Sequence, residues 1–405
     1  CSMQAPAKNR IFTIMFIITL LMTAAMGVLA EVPDEAGKEG QTISSELLGR
    51  IFPEVNDVSY PGWLKEGLRV YYRTSTGKLS KSVSQEVGEL SAAPLLKPED
   101  LSVTPFLLRT DVTSVYAKRV ISNTTVFVDQ VYLPWDETSE TWPYGMGSFW
   151  INTNLLKTSG TRQGIKMTNI SWKILNEEYQ AVRIDYDNTA QTGSLYVWII
   201  EKSTGLLLYN ARIYRPKPGA EIEITSVEFY SMRYLPVTWS SQAVPPFVKQ
   251  GLTLSYEGNI QSWNPKTGPG LSVPAMMQVK LESVEPRWIQ ASFSRVYSEK
   301  ETYESQAYIG PAQLGGAFWL PVGYLAGLKE GQVIDKDSIT SSVTEVSYIG
   351  KAKDGTNRIA IFEFGKNYKR AWIYRSSDGV LIYWMEDKLV DPIMQTSQKS
   401  EWNLK

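Results

Sequence analysis

The side chains that most often carry chemistry are supplied unevenly. The chain contains no histidine, and its single cysteine is Cys1. Ser-His-Asp relays, Cys-His pairs and His-ligated zinc or haem are therefore excluded, and no thiol lies beyond the first residue. Neither a GxxxxGK[ST] phosphate loop nor a GxGxxG turn occurs. Carboxylates remain, 42 of them. Two could run glycoside hydrolysis if one were buried and one solvated, but the sequence selects no pair. Asp185-x-Asp187-Asn188 and Asp335-x-Asp337 offer oxygen ligands for calcium. Both lack the Gly and Glu that complete an EF-hand loop, and both read more simply as turn acids near strand ends. No metal or cofactor is expected.

Aromatic residues are the richer signal: 13 Trp, 22 Tyr and 12 Phe. The densest cluster is PWDETSETWPYGMGSFW, which holds Trp135, Trp142, Tyr144, Phe149 and Trp150. Gly145 and Gly147 make that stretch read as a loop. Rings on a loop can line a pocket for an acyl chain or stack on a sugar. Phe318-Trp319 repeats Phe149-Trp150 without the preceding aromatics. These seven residues are the candidate ligand-binding set, although recurrence of the Phe-Trp pair equally suits a packing role.

The elements that must position these residues come from an internal duplication. VWIIEKSTGLLLY at 197–209 and AWIYRSSDGVLIY at 371–383 share six of thirteen positions without a gap. WLKEGLRVYYR at 63–73 resembles FVKQGLTLSYE at 247–257, and GSFWINTNLL at 147–156 resembles GAFWLPVGYL at 316–325, with offsets of 184, 169 and 174. One structural unit is used twice. Trp198 and Trp372, each before a Ser-x-Gly turn, read as core residues of a hairpin.

Short alternating segments separated by Gly and Pro dominate both copies. They predict an all-β chain with minor helix: two tandem antiparallel β domains, each a half-barrel, barrel or sandwich. A hairpin is expected over 114–133 with its turn at Ser122-Asn123, and a short helix at 322–329 after Pro321. The expected organisation is 1–30 signal peptide or N-terminal membrane anchor, 31–59 polar spacer with a short helix, 60–235 first unit, 236–246 Pro-containing linker, 247–390 second unit and 391–405 polar tail. The N-terminal reading rests on Lys8 and Arg10, the apolar run 11–30 ending Val-Leu-Ala, and the acids that follow.

The pattern Trp-Ile-x5-Gly-(Leu/Val)-Leu-(Leu/Ile)-Tyr, present at 198–209 and 372–383, resembles a hairpin of LolA/LppX-like envelope proteins. The resemblance implies a curved half-barrel whose concave face holds lipid or lipoprotein acyl chains without catalysis. It carries over no binding residue.

With 41 Lys and Arg against 42 Asp and Glu, the chain has no electrostatic reason to seek nucleic acid. The expected function is an exported, non-catalytic binding protein holding a hydrophobic or amphiphilic, lipid-like ligand in a β groove. Its partners would be that small molecule or lipid, or an envelope protein or glycan, with the membrane engaged through the N-terminal segment if uncleaved. The alternatives are a cell-surface structural or interaction module and a carboxylate-dependent glycoside hydrolase.

Overall fold

The computed structural model describes residues 60–79, 106–116, 119–128, 133–143, 149–157, 164–297, 301–314, 317–391 and 396–405, with isolated positions between 82 and 95. For 133–143, 301–302 and 391 it describes the backbone alone. The expected signal at 1–30 and spacer at 31–59 lie outside the described residues.

The all-β expectation holds. Two antiparallel sheets account for most of the described chain. The first is built from β1 (Leu68–Lys78), β2 (Phe106–Tyr116), β3 (Arg119–Val128), β4 (Leu133–Pro143), β5 (Ile165–Ile174), β6 (Glu177–Asn188), β7 (Ser194–Glu201), β8 (Leu207–Tyr214) and β9 (Glu223–Tyr234). The second is built from β10 (Thr253–Asn264), β11 (Gly268–Glu285), β12 (Trp288–Tyr297), β13 (Glu301–Ile309), β14 (Val333–Asp337), β15 (Ser342–Lys351), β16 (Asn357–Phe364), β17 (Tyr368–Arg375), β18 (Leu381–Asp391) and β19 (Thr396–Leu404). Two single-turn helices, α1 (Thr189–Thr192) and α2 (Val322–Ala326), interrupt them.

The strand orders are β4-β3-β2-β1-β9-β8-β7-β6-β5 and β13-β12-β11-β10-β19-β18-β17-β16-β15-β14. Apart from the extra edge strand β14, they are the same order. In each sheet the first strand of the repeat pairs with its last. Residues 391–405, read as a polar tail, therefore contain the counterpart of β9: β19 is hydrogen-bonded between β10 and β18, with Trp402 opposite Gly258 and Trp384. Its polarity misled because Trp402 is its one buried residue, and backbone pairing needs no apolar side chain.

The turn expected at Ser122-Asn123 is also corrected. Both residues lie inside β3, opposite Val112 and Asp111, and the ladder closes at Tyr116–Arg119. The aromatic stretch read as a loop begins as an edge strand, β4, which carries Trp135 and Trp142. Hydrogen bonding along β3 decides its conformation where composition did not.

By internal packing the chain forms two compact units. Among the described residues, one comprises those within 60–61, 74–103 and 142–229; the other comprises those within 62–73, 104–141 and 230–405. In the second, strand alternation supplies the core. Ala275, Met277, Val279 and Leu281 of β11 face inward, while Met276, Gln278 and Lys280 face out. Phe318, Trp319, Leu320 and Leu325 of α2 pack onto that inward face, joined by Trp239, Trp372 and Trp402.

The recurring motifs prove to be two halves of one junction. In the first copy the Ile151 N–H donates to the Gly205 carbonyl (2.8 Å) and the Leu207 N–H to the Phe149 carbonyl (3.0 Å). In the second, Leu320 donates to Gly379 (2.9 Å) and Leu381 to Phe318 (2.9 Å). Each glycine has a left-handed backbone, φ +77° and +79°. A Cβ at either would overlap the carbonyl oxygen of Ile151 or Leu320, so the Ser-x-Gly turn needs glycine twice over.

Candidate functional site

The Phe-Trp pairs lie inside their cores. Phe149 and Trp150 are 1% and 0% exposed, Phe318 and Trp319 7% and 9%. Trp135 and Trp142 are placed on the backbone of β4, and Tyr144 lies outside the described residues. Of the seven candidates, Trp319 lines a pocket.

That pocket opens beside the second junction. Its walls are Trp239, Trp288, Trp319, Val244, Ile289, Ile309 and Leu320, and four prolines, Pro245, Pro286, Pro311 and Pro321, stiffen them. Its volume is about 40 Å³, whereas an apolar cavity of about 150 Å³ takes a benzene. It admits the end of an aliphatic group rather than a whole chain. The Trp239 ring leans on Tyr324 at 4.6 Å. The Trp239 indole N–H is buried and has no hydrogen-bond partner among the described residues, a cost that this packing bears. The Arg119 guanidinium covers the Trp288 ring at 4.6 Å. At the rim Arg287 donates to the Ser240 carbonyl and to Glu66, while its own carbonyl accepts from the Ser114 hydroxyl (2.6 Å). Burial pushes the Glu66 carboxyl above its ordinary value despite the Arg287 charge.

The pocket has a traceable origin. The 184-residue offset that aligns WLKEGL with FVKQGL also aligns Tyr60 with Val244 and Pro61 with Pro245. In the first copy the Tyr60 ring stands edge-on against Trp150, centroids 5.5 Å apart. Its hydroxyl is pushed up to about 12 by burial. In the second copy valine occupies that position and Trp319 borders a pocket instead. Trp239, Trp288 and Val244 were absent from the sequence-derived set. Extending the repeat alignment three residues upstream would have exposed the Tyr-to-Val difference.

A second cluster in the same unit is ionic. Arg69 on β1, 2% exposed, donates Nε and Nη2 to Asp111 of β2 (2.5 and 2.8 Å) and Nη1 to Asp335 and Asp337 of β14 (3.1 and 3.2 Å). Arg233 of β9 grips Asp335 through two bonds of 2.7 and 2.8 Å and donates to the Tyr71 hydroxyl. Arg109 of β2 reaches Glu363 of β16 (3.4 Å), which also accepts from the Tyr368 hydroxyl (2.8 Å). Arg370 of β17 continues the chain to Glu386 (2.9 Å), and Lys388 closes on the same carboxylate (2.7 Å).

Asp335 and Asp337, oxygen-bearing candidates that read more simply as turn acids, thus hold arginines. At the other candidate, Asp185 pairs with Arg183 (2.7 Å) and Asp187 caps the Thr189 N–H (2.9 Å). Burial would raise the Asp337 carboxyl, but the Arg69 and Arg109 charges and the Thr340 hydrogen bond hold it below the carboxylate range. Burial likewise opposes, and Arg109, Arg370 and Tyr368 overcome it, at Glu363; Arg370 and Lys388 do the same at Glu386. Carboxylates held ionised in this way cannot serve as the protonated acid a glycoside hydrolase requires. The cluster ties β1, β2 and β9 to β14, β16 and β17.

No protein-family model matches the chain, and no curated protein matches it. Among solved structures, the crystal structure of MucB in complex with MucA(peri) aligns with a TM-score of 0.23 and 6% identity, covering 84% of this chain and 88% of that one. A protein of unknown function from the DUF3598 family of Nostoc punctiforme aligns with a TM-score of 0.15 and 8% identity, covering 84% and 96%. Likeness at this level carries no argument, so the functional reading rests on the pocket and its lining.

Proposed function

We propose that this is an exported, non-catalytic binding protein that takes the end of an apolar, lipid-like ligand in the pocket of its second repeat. The supporting observation is the exchange of Tyr60 for Val244 at equivalent positions, with Trp319 bordering a pocket where Trp150 meets a tyrosine ring. The ligand would be amphiphilic: its aliphatic end among Trp288, Trp319 and Ile309, and its polar group outside the pocket. Each methylene withdrawn from water contributes about 0.8 kcal/mol. The hairpin resemblance to LolA/LppX-like carriers supports the same reading, as does the absence of histidine.

Native mass spectrometry with organic extraction tests this on the wild type and on Val244→Tyr. A lipid-mass species bound to the wild type and missing from Val244→Tyr is expected. Retention by the variant would place the ligand elsewhere. A clean wild-type mass, together with no tryptophan quenching by brominated fatty acid, would overturn the carrier reading.

The small volume favours a second reading, in which the pocket anchors one aliphatic side chain of an envelope protein. Pull-down by the wild type but not Val244→Tyr, with no extractable lipid, would support it.

A further inference from the structure

We propose that the tip of the β10–β11 hairpin is a lipid-surface contact, with Trp263 and Leu271 bedded in the interfacial layer of a bilayer and Lys266 at the headgroups. The hairpin outruns the core it helps to build. Inward alternation on β11 begins only at Ala275, and no residue of 265–274 is buried. Leu271 is 82% exposed and Trp263 47%. Isolated exposed apolar residues are ordinary, but this tip has a charge pattern as well. Between Glu257 and Glu282 there is no acid in 24 consecutive residues, in a chain with 42 acids among 405; the charges there are Lys266 and Lys280. The neighbouring strand places Ser397 beside Trp263 and Lys399 beside Gln261. Lys399 also pairs with Glu401 (2.9 Å), and Asp391 sits at the end of β18.

A tip with an aliphatic residue, an indole and a lysine, free of carboxylates, matches the chemistry of the membrane interface. There indole rings sit at headgroup depth, lysine reaches outward, and anionic lipid attracts the cation. The turn is already shaped: Gly268 has φ +81°, and the Asn264 side chain accepts from the Lys266 N–H (2.9 Å). The apolar run at 11–30 would bring the chain to a membrane. The contact is independent of the pocket, which touches the other end of β11 at Glu285.

The test reconstitutes the full chain in phosphatidylcholine–phosphatidylglycerol vesicles whose acyl chains are brominated near the glycerol. Residues 1–30 contain no tryptophan, so quenching reports only on the remainder of the chain. The wild type should show quenching, and Trp263→Phe should lose that increment; Leu271→Ser should reduce it with an unchanged circular dichroism spectrum. Equal quenching of wild type and Trp263→Phe would overturn the proposal. So would no quenching in either, which would leave the tip to a protein partner.

Discussion

The two copies of the Phe-Trp junction are built from the same bonds and finished differently. In each, a Phe-Trp segment docks on a Ser-x-Gly turn through two backbone hydrogen bonds, and the glycine is irreplaceable for the same steric reason. In the first copy Tyr60 covers Trp150; in the second Val244 leaves room beside Trp319. The second packing unit also contains the buried arginine–carboxylate cluster. Duplication preserves what the backbone needs, and a single change of side-chain size at the margin accompanies the pocket beside Trp319.

The sharpest break between the units should come from Arg69→Met. It strands Asp111, Asp335 and Asp337 without their central cation, a loss of about 3–5 kcal/mol for a buried pair. Urea denaturation should show the second unit unfolding first. A wild-type midpoint in this variant would show the cluster to be energetically idle.

Gly205→Ala and Gly379→Ala probe the shared part. Each forces a Cβ onto a carbonyl oxygen at positive φ, and each should cost at least ~2 kcal/mol. Similar losses in thermal unfolding support one junction built twice. Tolerance of one alone would show that the copies have diverged in the backbone too.

Tyr60→Val should convert the first junction toward the second. Truncating a packed aromatic ring costs roughly 1–3 kcal/mol and should open a pocket beside Trp150 that admits a small apolar probe such as benzene or xenon. A crystal soak that leaves the site empty would show that more than Tyr60 closes it.

Acid gives the smallest and most graded effect. Asp337, Glu363 and Glu386 titrate below the ordinary carboxylate range in the folded chain. Their contribution is therefore complete above the unfolded values, about 4, and is lost as pH falls through the folded ones. The urea midpoint should be level from neutral pH down to about 5 and then decline. The penalty of Arg69→Met should shrink over the same fall, because protonated acids no longer need the cation. A penalty independent of pH would mean that Arg69 acts by packing alone.

Much of the architecture was legible in the chain. Alternation such as Ala181-Val182-Arg183-Ile184 identified strands, and the Trp-Ile-x5-Gly repeat identified the duplication. The same local reasoning failed where backbone partners decide. Ser122-Asn123 resembles a turn yet sits in β3, because Asp111 and Val112 lie opposite. Thr396–Leu404 resembles a tail yet fills the gap between β10 and β18. Of the site, Trp319 was chosen for its type, while Trp239 and Trp288 were missed because nothing in sequence brings 239, 288 and 319 together.

By itself, then, the sequence determined that the chain is β-rich, duplicated and without histidine chemistry, since composition and periodicity are local properties. Only the tertiary structure decided that Asp335 and Asp337 hold arginines, and that Val244 and Trp319 border one pocket. Those outcomes depend on which side chains meet across a sheet, and strand order sets that meeting without leaving a local trace.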